Sequence, residues 1–178
     1  GADDLFLLIG AGDIINLRSL VFTHDGSAIT ELESRLNQIE DAVYEVDVPL
    51  DRFTVLPTRG RGRCVTVSTV AALSHVIKLC RALACSWRIA GAGFNSWFSD
   101  CGYSGLIVKL AGGEFSGIIC NGDTVRAGCG VGGVRLLNFL QEHNLAGLEF
   151  MDGIPGTLGG WLAMNAGAHG GEVADCVV

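Results

Sequence analysis

Gly147-Leu148-Glu149-Phe150-Met151-Asp152-Gly153-Ile154-Pro155-Gly156-Thr157-Leu158-Gly159-Gly160, continued by Met164-Asn165-Ala166-Gly167-Ala168-His169-Gly170-Gly171, is the stretch on which the reading of this chain turns. Glycine inside a helix or strand costs about 0.5–1 kcal/mol against alanine. This density therefore argues against a regular core element over residues 147–171. Two readings remain: backbone wrapped around a large planar or phosphorylated ligand, or a tightly packed loop in which glycine marks close approach.

A second glycine run, Gly91-Ala92-Gly93-Phe94-Asn95-Ser96, follows a predicted strand. Successive N–H groups in such a loop can form a nest for an anion, with Asn95 and Ser96 as further donors. An ordinary strand-ending turn accounts for it equally well. It is not a dinucleotide fingerprint, because Ser96 holds the third glycine position and no acidic residue follows at the required distance. Gly10-Ala11-Gly12 lacks the third glycine too.

Between and before these runs, periodicity predicts short elements. Residues 64–67 and 86–90 read as strands flanking a helix whose apolar stripe runs from Val70 to Ala84, with Ser68 or Thr69 as N-cap. That is a β-α-β unit with parallel pairing. Residues 106–110, 117–120 and 124–127 read as strands, the last two joined by a hairpin at Asn121-Gly122-Asp123. Val134, Leu137 and Leu140 mark another amphipathic helix, and residues 173–178 read as the start of a strand. Upstream, residues 4–9 form an expected strand and 14–21 a short helix. Residues 23–48 are the most charged part of the chain, with Leu32, Leu36, Ile39 and Val43 at helical spacing. The expected divisions are a tail at 1–22, a charged linker and helix at 23–48, and one domain over 49–178.

The 178 residues are 49% hydrophobic and 17% charged, enough for one core or one core and part of another, and carry a net charge of −7. That sign disfavours nucleic acid and anionic membrane as partners. No apolar run is long enough to span a bilayer. Seven cysteines without a C-x-x-C pair point away from disulfide frameworks and zinc sites, and fit a reducing, cytoplasmic setting. No metal site is expected. A start at Gly1 and an end inside the apolar Cys176-Val177-Val178 suggest a chain cut at both ends.

Three motifs in order carry a resemblance. Gly91-Ala92-Gly93-Phe94-Asn95 with Asp100-Cys101-Gly102-Tyr103-Ser104-Gly105, the run 147–160, and Met164-Asn165-Ala166-Gly167-Ala168 resemble signatures of the UDP-N-acetylenolpyruvoylglucosamine reductases. The resemblance implies an α+β, two-lobed FAD-binding fold of the vanillyl-alcohol-oxidase (PCMH) type, cut short at its C-terminus. It implies non-covalent FAD, with Gly91, Ala92, Gly93 and Asn95 around the pyrophosphate and Ser96 beside them. The segment 153–170 would line the pyrophosphate and ring through Gly153, Ile154, Pro155, Gly156, Gly159, Gly160, Asn165, Gly167, Ala168 and Gly170. NADPH would be the reductant and an enolpyruvyl UDP-sugar the substrate, in the making of peptidoglycan precursors. The family's Arg, Ser and Glu of catalysis are expected beyond Val178, so no catalytic residue is assigned.

Phe94 stands where the family has Ser, His169 where it often has Tyr, and residues 53–63 blur its Arg-x-Gly-Gly element. Glu149 and Glu172 read as structural and solvated residues, not as acids of catalysis. Residues 4–14 are similar to the end of UDP-N-acetylmuramate–alanine ligases, which implies a possible fusion partner. Two rival readings stay open: a PCMH-type oxidase with covalent flavin, disfavoured because residues 86–105 lack His, and a flavin-binding fragment without turnover.

Overall fold

The computed structural model describes residues 26–178, and the chain divides into two compact units that meet in sequence at Leu110 and Ala111. The strand expected at 4–9, the helix at 14–21 and the ligase-like tail lie outside the described residues.

The first unit runs α1 (Gly26–Leu36), β1 (Ala42–Pro49), a 3-10 turn (Leu50–Phe53), β2 (Arg61–Val67), α2 (Val70–Ala82), β3 (Trp87–Ala90) and β4 (Leu106–Leu110). Its sheet has the order β1-β2-β4-β3, with β1 antiparallel to β2 and β4 parallel to both β2 and β3. Cys64 and Ile107 are register partners and share a core cluster with Val48, Leu50, Phe53, Ala90 and Tyr103. Val65, Val67, Leu106 and Val108 have the opposite strand parity and are also buried. A sheet apolar on both faces must be covered on both, and α2 packs against β2 along its stripe of Ala72, Val76, Leu79 and Cys80.

The cap on α2 is Thr69, whose Oγ1 accepts from the Ala72 N–H at 3.2 Å. Thr69→Ala should lower stability by about 1 kcal/mol, read as a shifted urea midpoint. An unchanged midpoint would mean that the cap is idle.

Two expectations need correction here. The segment expected as a charged linker and helix over 23–48 holds the helix at Gly26–Leu36 but also strand β1, so the boundary placed at Pro49 cuts through the sheet. The acidic residues of that strand are not linker polarity. Glu45 pairs with Arg52 at 3.0 Å, and Asp47 pairs with Arg61 at a β-bulge between Glu45 and Val48. The β-α-β unit is real, but β4 inserts between β2 and β3, so those two strands do not pair directly.

The second unit runs α3 (Gly113–Ser116), β5 (Ile118–Asn121), β6 (Thr124–Ala127), α4 (Gly133–Glu142), a 3-10 turn (Glu149–Met151), α5 (Leu158–Met164), β7 (Gly167–Ala168), β8 (Gly171–Glu172) and a last 3-10 turn (Val173–Cys176). The β5–β6 hairpin turns at Gly122-Asp123, as its turn chemistry predicts. Its core is Val131, Leu136, Met151, Trp161 and Val173. Two further expectations fail. The glycine-dense stretch contains a helix, α5, and residues 173–176 form a 3-10 turn instead of a strand. Among the described residues, no helix is long and apolar enough to cross a membrane.

Candidate functional site

In the first unit, the run from Gly91 to Asp100 leaves the end of β3 and folds against residues 53–60. The Gly93 carbonyl accepts from the Val55 N–H at 3.2 Å, and the Ser96 carbonyl accepts from the buried Thr54 hydroxyl at 2.5 Å. Carbonyls turned into the protein leave the loop able to present N–H groups outward, the polarity an anion needs. Gly93 has a φ of 84°, and a Cβ there would lie 2.6 Å from the Phe53 carbonyl carbon. Its glycine is therefore demanded by packing. Ala92 is exposed, while Gly91, Asn95 and Ser96 are half-buried. Phe94 and Trp97 both point to the surface.

The companion motif 100–105 is a clamp. Asp100 Oδ1 accepts from the Arg59 N–H at 2.8 Å and from the Thr58 hydroxyl at 3.1 Å. Those two donors hold its carboxyl below the usual range. The Tyr103 N–H donates to the Arg61 carbonyl, and burial pushes the Tyr103 phenol up to about 12.

In the second unit, the residues expected to line a cofactor separate into two kinds. Gly153 has a φ of 80° with open space where a Cβ would stand, and the same holds for Gly170 at 87°. Their glycines serve backbone shape and leave room in front of it. Ile154 donates its N–H to the Met151 carbonyl, and the Pro155 carbonyl accepts from the Trp161 indole N–H at 3.2 Å. The Gly156 carbonyl accepts from the Gly133 N–H.

The first turn of α5 is committed to the protein. Leu158 and Gly159 donate their N–H groups to the carbonyls of Val131 and Cys129, both at 2.8 Å, and Gly160 donates to the Thr157 hydroxyl at 3.3 Å. A Cβ at Gly159 would press on Cys129, and one at Gly167 on the Gly171 carbonyl. Asn165 ends α5 in the left-handed region, and its Oδ1 accepts from the Ala174 N–H at 3.0 Å. These positions thus have structural reasons of their own. Ala168 and Gly171 close a two-residue hairpin over His169 and Gly170.

Glu149 accepts the Gly147 N–H at 2.8 Å, the structural bond its position suggests, and its own N–H and that of Gly147 draw its carboxyl down. Glu172 is exposed and caps the last 3-10 turn together with Asp175. Sequence reasoning missed Thr54, Thr58 and Trp161, which position the loops. Thr157, which caps α5, was missed as well.

An α+β fold with glycine loops of open backbone is what a flavoprotein of this kind requires, and the chain belongs to the FAD binding domain family, which matches residues 63–178. Its fold is the PCMH-type FAD-binding fold. It is 38% identical over 144 residues to the UDP-N-acetylenolpyruvoylglucosamine reductase of Halalkalibacterium halodurans, covering 80% of this chain and 44% of that protein. It is 41% identical over 130 residues to reductase 2 of Symbiobacterium thermophilum, covering 72% and 42%. The crystal structure of the Thermus caldophilus reductase superposes with a TM-score of 0.58 at 30% identity, covering 75% of this chain and 47% of that one. The chain thus spans a little under half the length of these relatives.

Proposed function

We propose that this chain is the FAD-holding part of an NADPH-dependent reductase that converts UDP-N-acetylglucosamine enolpyruvate to UDP-N-acetylmuramate. The observation that carries the reading is the 38% identity to such a reductase over 80% of the chain. The open backbone at Gly153 and Gly170 fits the group, since a Cβ would fill the space a flat or phosphorylated ligand takes. When bound, FAD supplies hydride transfer between the nicotinamide and the enolpyruvyl double bond.

The chain's own residues bind and orient. In the first unit, Thr54 and the backbone of Val55 hold the 91–96 loop with two of its carbonyls inward, so that Gly91, Ala92, Gly93, Asn95 and Ser96 can meet the pyrophosphate. In the second, Trp161 holds Pro155, and the segment 153–156 with Ala168 and Gly170 offers a surface for ring or phosphate. Gly159, Gly160, Asn165 and Gly167 support that segment. We place the protein in the cytoplasm, a reading supported by seven unpaired cysteines.

Flavin should bind without a covalent bond, because residues 86–105 offer no His to carry one. Acid precipitation of the flavin-loaded chain should release all of the yellow colour to the supernatant, and the released flavin should run as FAD. Flavin left in the pellet would favour the oxidase reading, and a chain that never takes up flavin would sink both.

A further inference from the structure

Two cysteines at the end of α2 have no part in the flavin reading. α2 closes in a Schellman-type turn. The Cys85 N–H donates to the Cys80 carbonyl at 2.8 Å, the Ala84 N–H donates to the Arg81 carbonyl at 3.3 Å, and Ala84 takes a left-handed φ of 49°. In such a turn the side chains at its two ends touch, a place most helices fill with an apolar pair. Here both ends are cysteines, and the Cys85 thiol donates to the Ser86 carbonyl at 3.3 Å. Cys80 is fully buried and Cys85 is half-buried.

We propose that Cys80 and Cys85 form a peroxide-reactive dithiol, in which Cys85 attacks and Cys80 resolves to an intramolecular disulfide. The Cys85 sulfur attacks one peroxide oxygen, the O–O bond breaks, and Cys85 becomes a sulfenic acid while the other oxygen leaves as water with the thiol proton. The Cys80 sulfur then attacks the Cys85 sulfur and displaces its hydroxyl, which leaves as a second water with the Cys80 proton. Two thiols are oxidised and one peroxide is reduced.

The surroundings divide the two roles. The neighbouring Cys80 thiol and the Arg63 guanidinium favour the Cys85 thiolate and lower its pKa against the effect of burial. The neighbouring Cys85 sulfur and burial both keep the proton on Cys80. Tyr44 and Tyr103 are the other titratable groups near Cys85, and burial keeps both phenols protonated. Arg63 is itself 3.5 Å from Glu33, which moderates its pull on Cys85 without removing it. By contrast, Cys64 is buried and pushed up to about 11, and Cys101 and Cys176 are exposed. The turn already holds the two backbones together, so closing the disulfide requires no unwinding of α2.

The test uses the full chain, reduced and then given one equivalent of hydrogen peroxide. Trypsin cuts between the two cysteines at Arg81. The expected product is peptide 79–81 linked to peptide 82–88, two hydrogens lighter than their sum, with free thiols falling from seven to five. Cys80→Ser should instead leave a sulfenic acid on Cys85 that dimedone traps, and Cys85→Ser should leave Cys80 unreacted. Oxidation of Cys101 or Cys176 ahead of this pair overturns the proposal. So does a Cys80→Ser chain, folded by circular dichroism, whose Cys85 takes no dimedone.

Discussion

Gly93→Ala should undo the first unit's loop before it obstructs any ligand, lowering stability by about 2–5 kcal/mol. The figure combines about 1–2 kcal/mol for an L-residue in the left-handed region with about 1–3 kcal/mol for overpacking. The new Cβ would meet backbone on all sides, with the Phe53 carbonyl oxygen and the Thr54 nitrogen both at 2.7 Å. Backbone cannot swing aside as a side chain can. Gly153→Ala is the matched control, because its φ is also positive but open space surrounds it, leaving only the conformational cost of about 1–2 kcal/mol. Urea unfolding of both variants, with a flavin titration alongside, checks this. If Gly93→Ala kept its midpoint and lost only flavin, the glycine would be there for the ligand, and the packing account would be wrong.

Trp161→Ala should cost the second unit about 3–5 kcal/mol, the range for removing a large buried aromatic side chain. The indole is 2% exposed and packs with Val131, Leu136, Met151 and Val173. Gly133 lies so close that a Cβ there would come within 2.1 Å of the ring. The indole also holds Pro155 through its N–H, so flavin affinity should fall together with stability. Trp161→Phe separates the two effects. It keeps a ring in the core and loses the hydrogen bond, and because Pro155 is exposed, water can replace the donor for about 1 kcal/mol. Thermal or urea unfolding reads both variants. A Trp161→Ala chain within 1 kcal/mol of the parent would remove the indole from the core, by the same cavity reasoning.

The elements that could be read from sequence are those set by local chemistry. Thr69 caps α2, the apolar stripe from Val70 to Cys80 has helical spacing, and Gly122-Asp123 turns a hairpin; each signal lies within a few residues of what it specifies. The errors have a different origin. Leu32 and Leu36 belong to a helix, but Val43, at the same spacing, lies in β1, so one period ran across a boundary that neither glycine nor proline marks. α5 survives two glycines because Thr157 caps it and Trp161 anchors it, a tertiary gain larger than the propensity loss. The position of β4 depends on a pairing between Cys64 and Ile107, far apart in the chain, which no window of sequence contains. At the candidate site, the glycines marked the right segments, but they did not distinguish Gly93 and Gly159, which pack on protein, from Gly153 and Gly170, which face open space.

That inserted strand also constrains the order of assembly. Among the described residues, β3 pairs in the sheet only with β4, and β2 has only β1 until β4 arrives. On a ribosome, the segment from β2 through β3 would emerge with Val65 and Val67 still awaiting β4 on one side and Ile89 on a strand whose described partner is not yet made. Synthesis at about 5–20 residues per second would hold it so for seconds. The β1–β2 hairpin and α2 can form in that interval; β3 must wait. Nascent-chain protection should therefore rise in one step as residues 106–110 clear the exit tunnel, and the same interval is when a chaperone that grips extended apolar segments would have the most to hold.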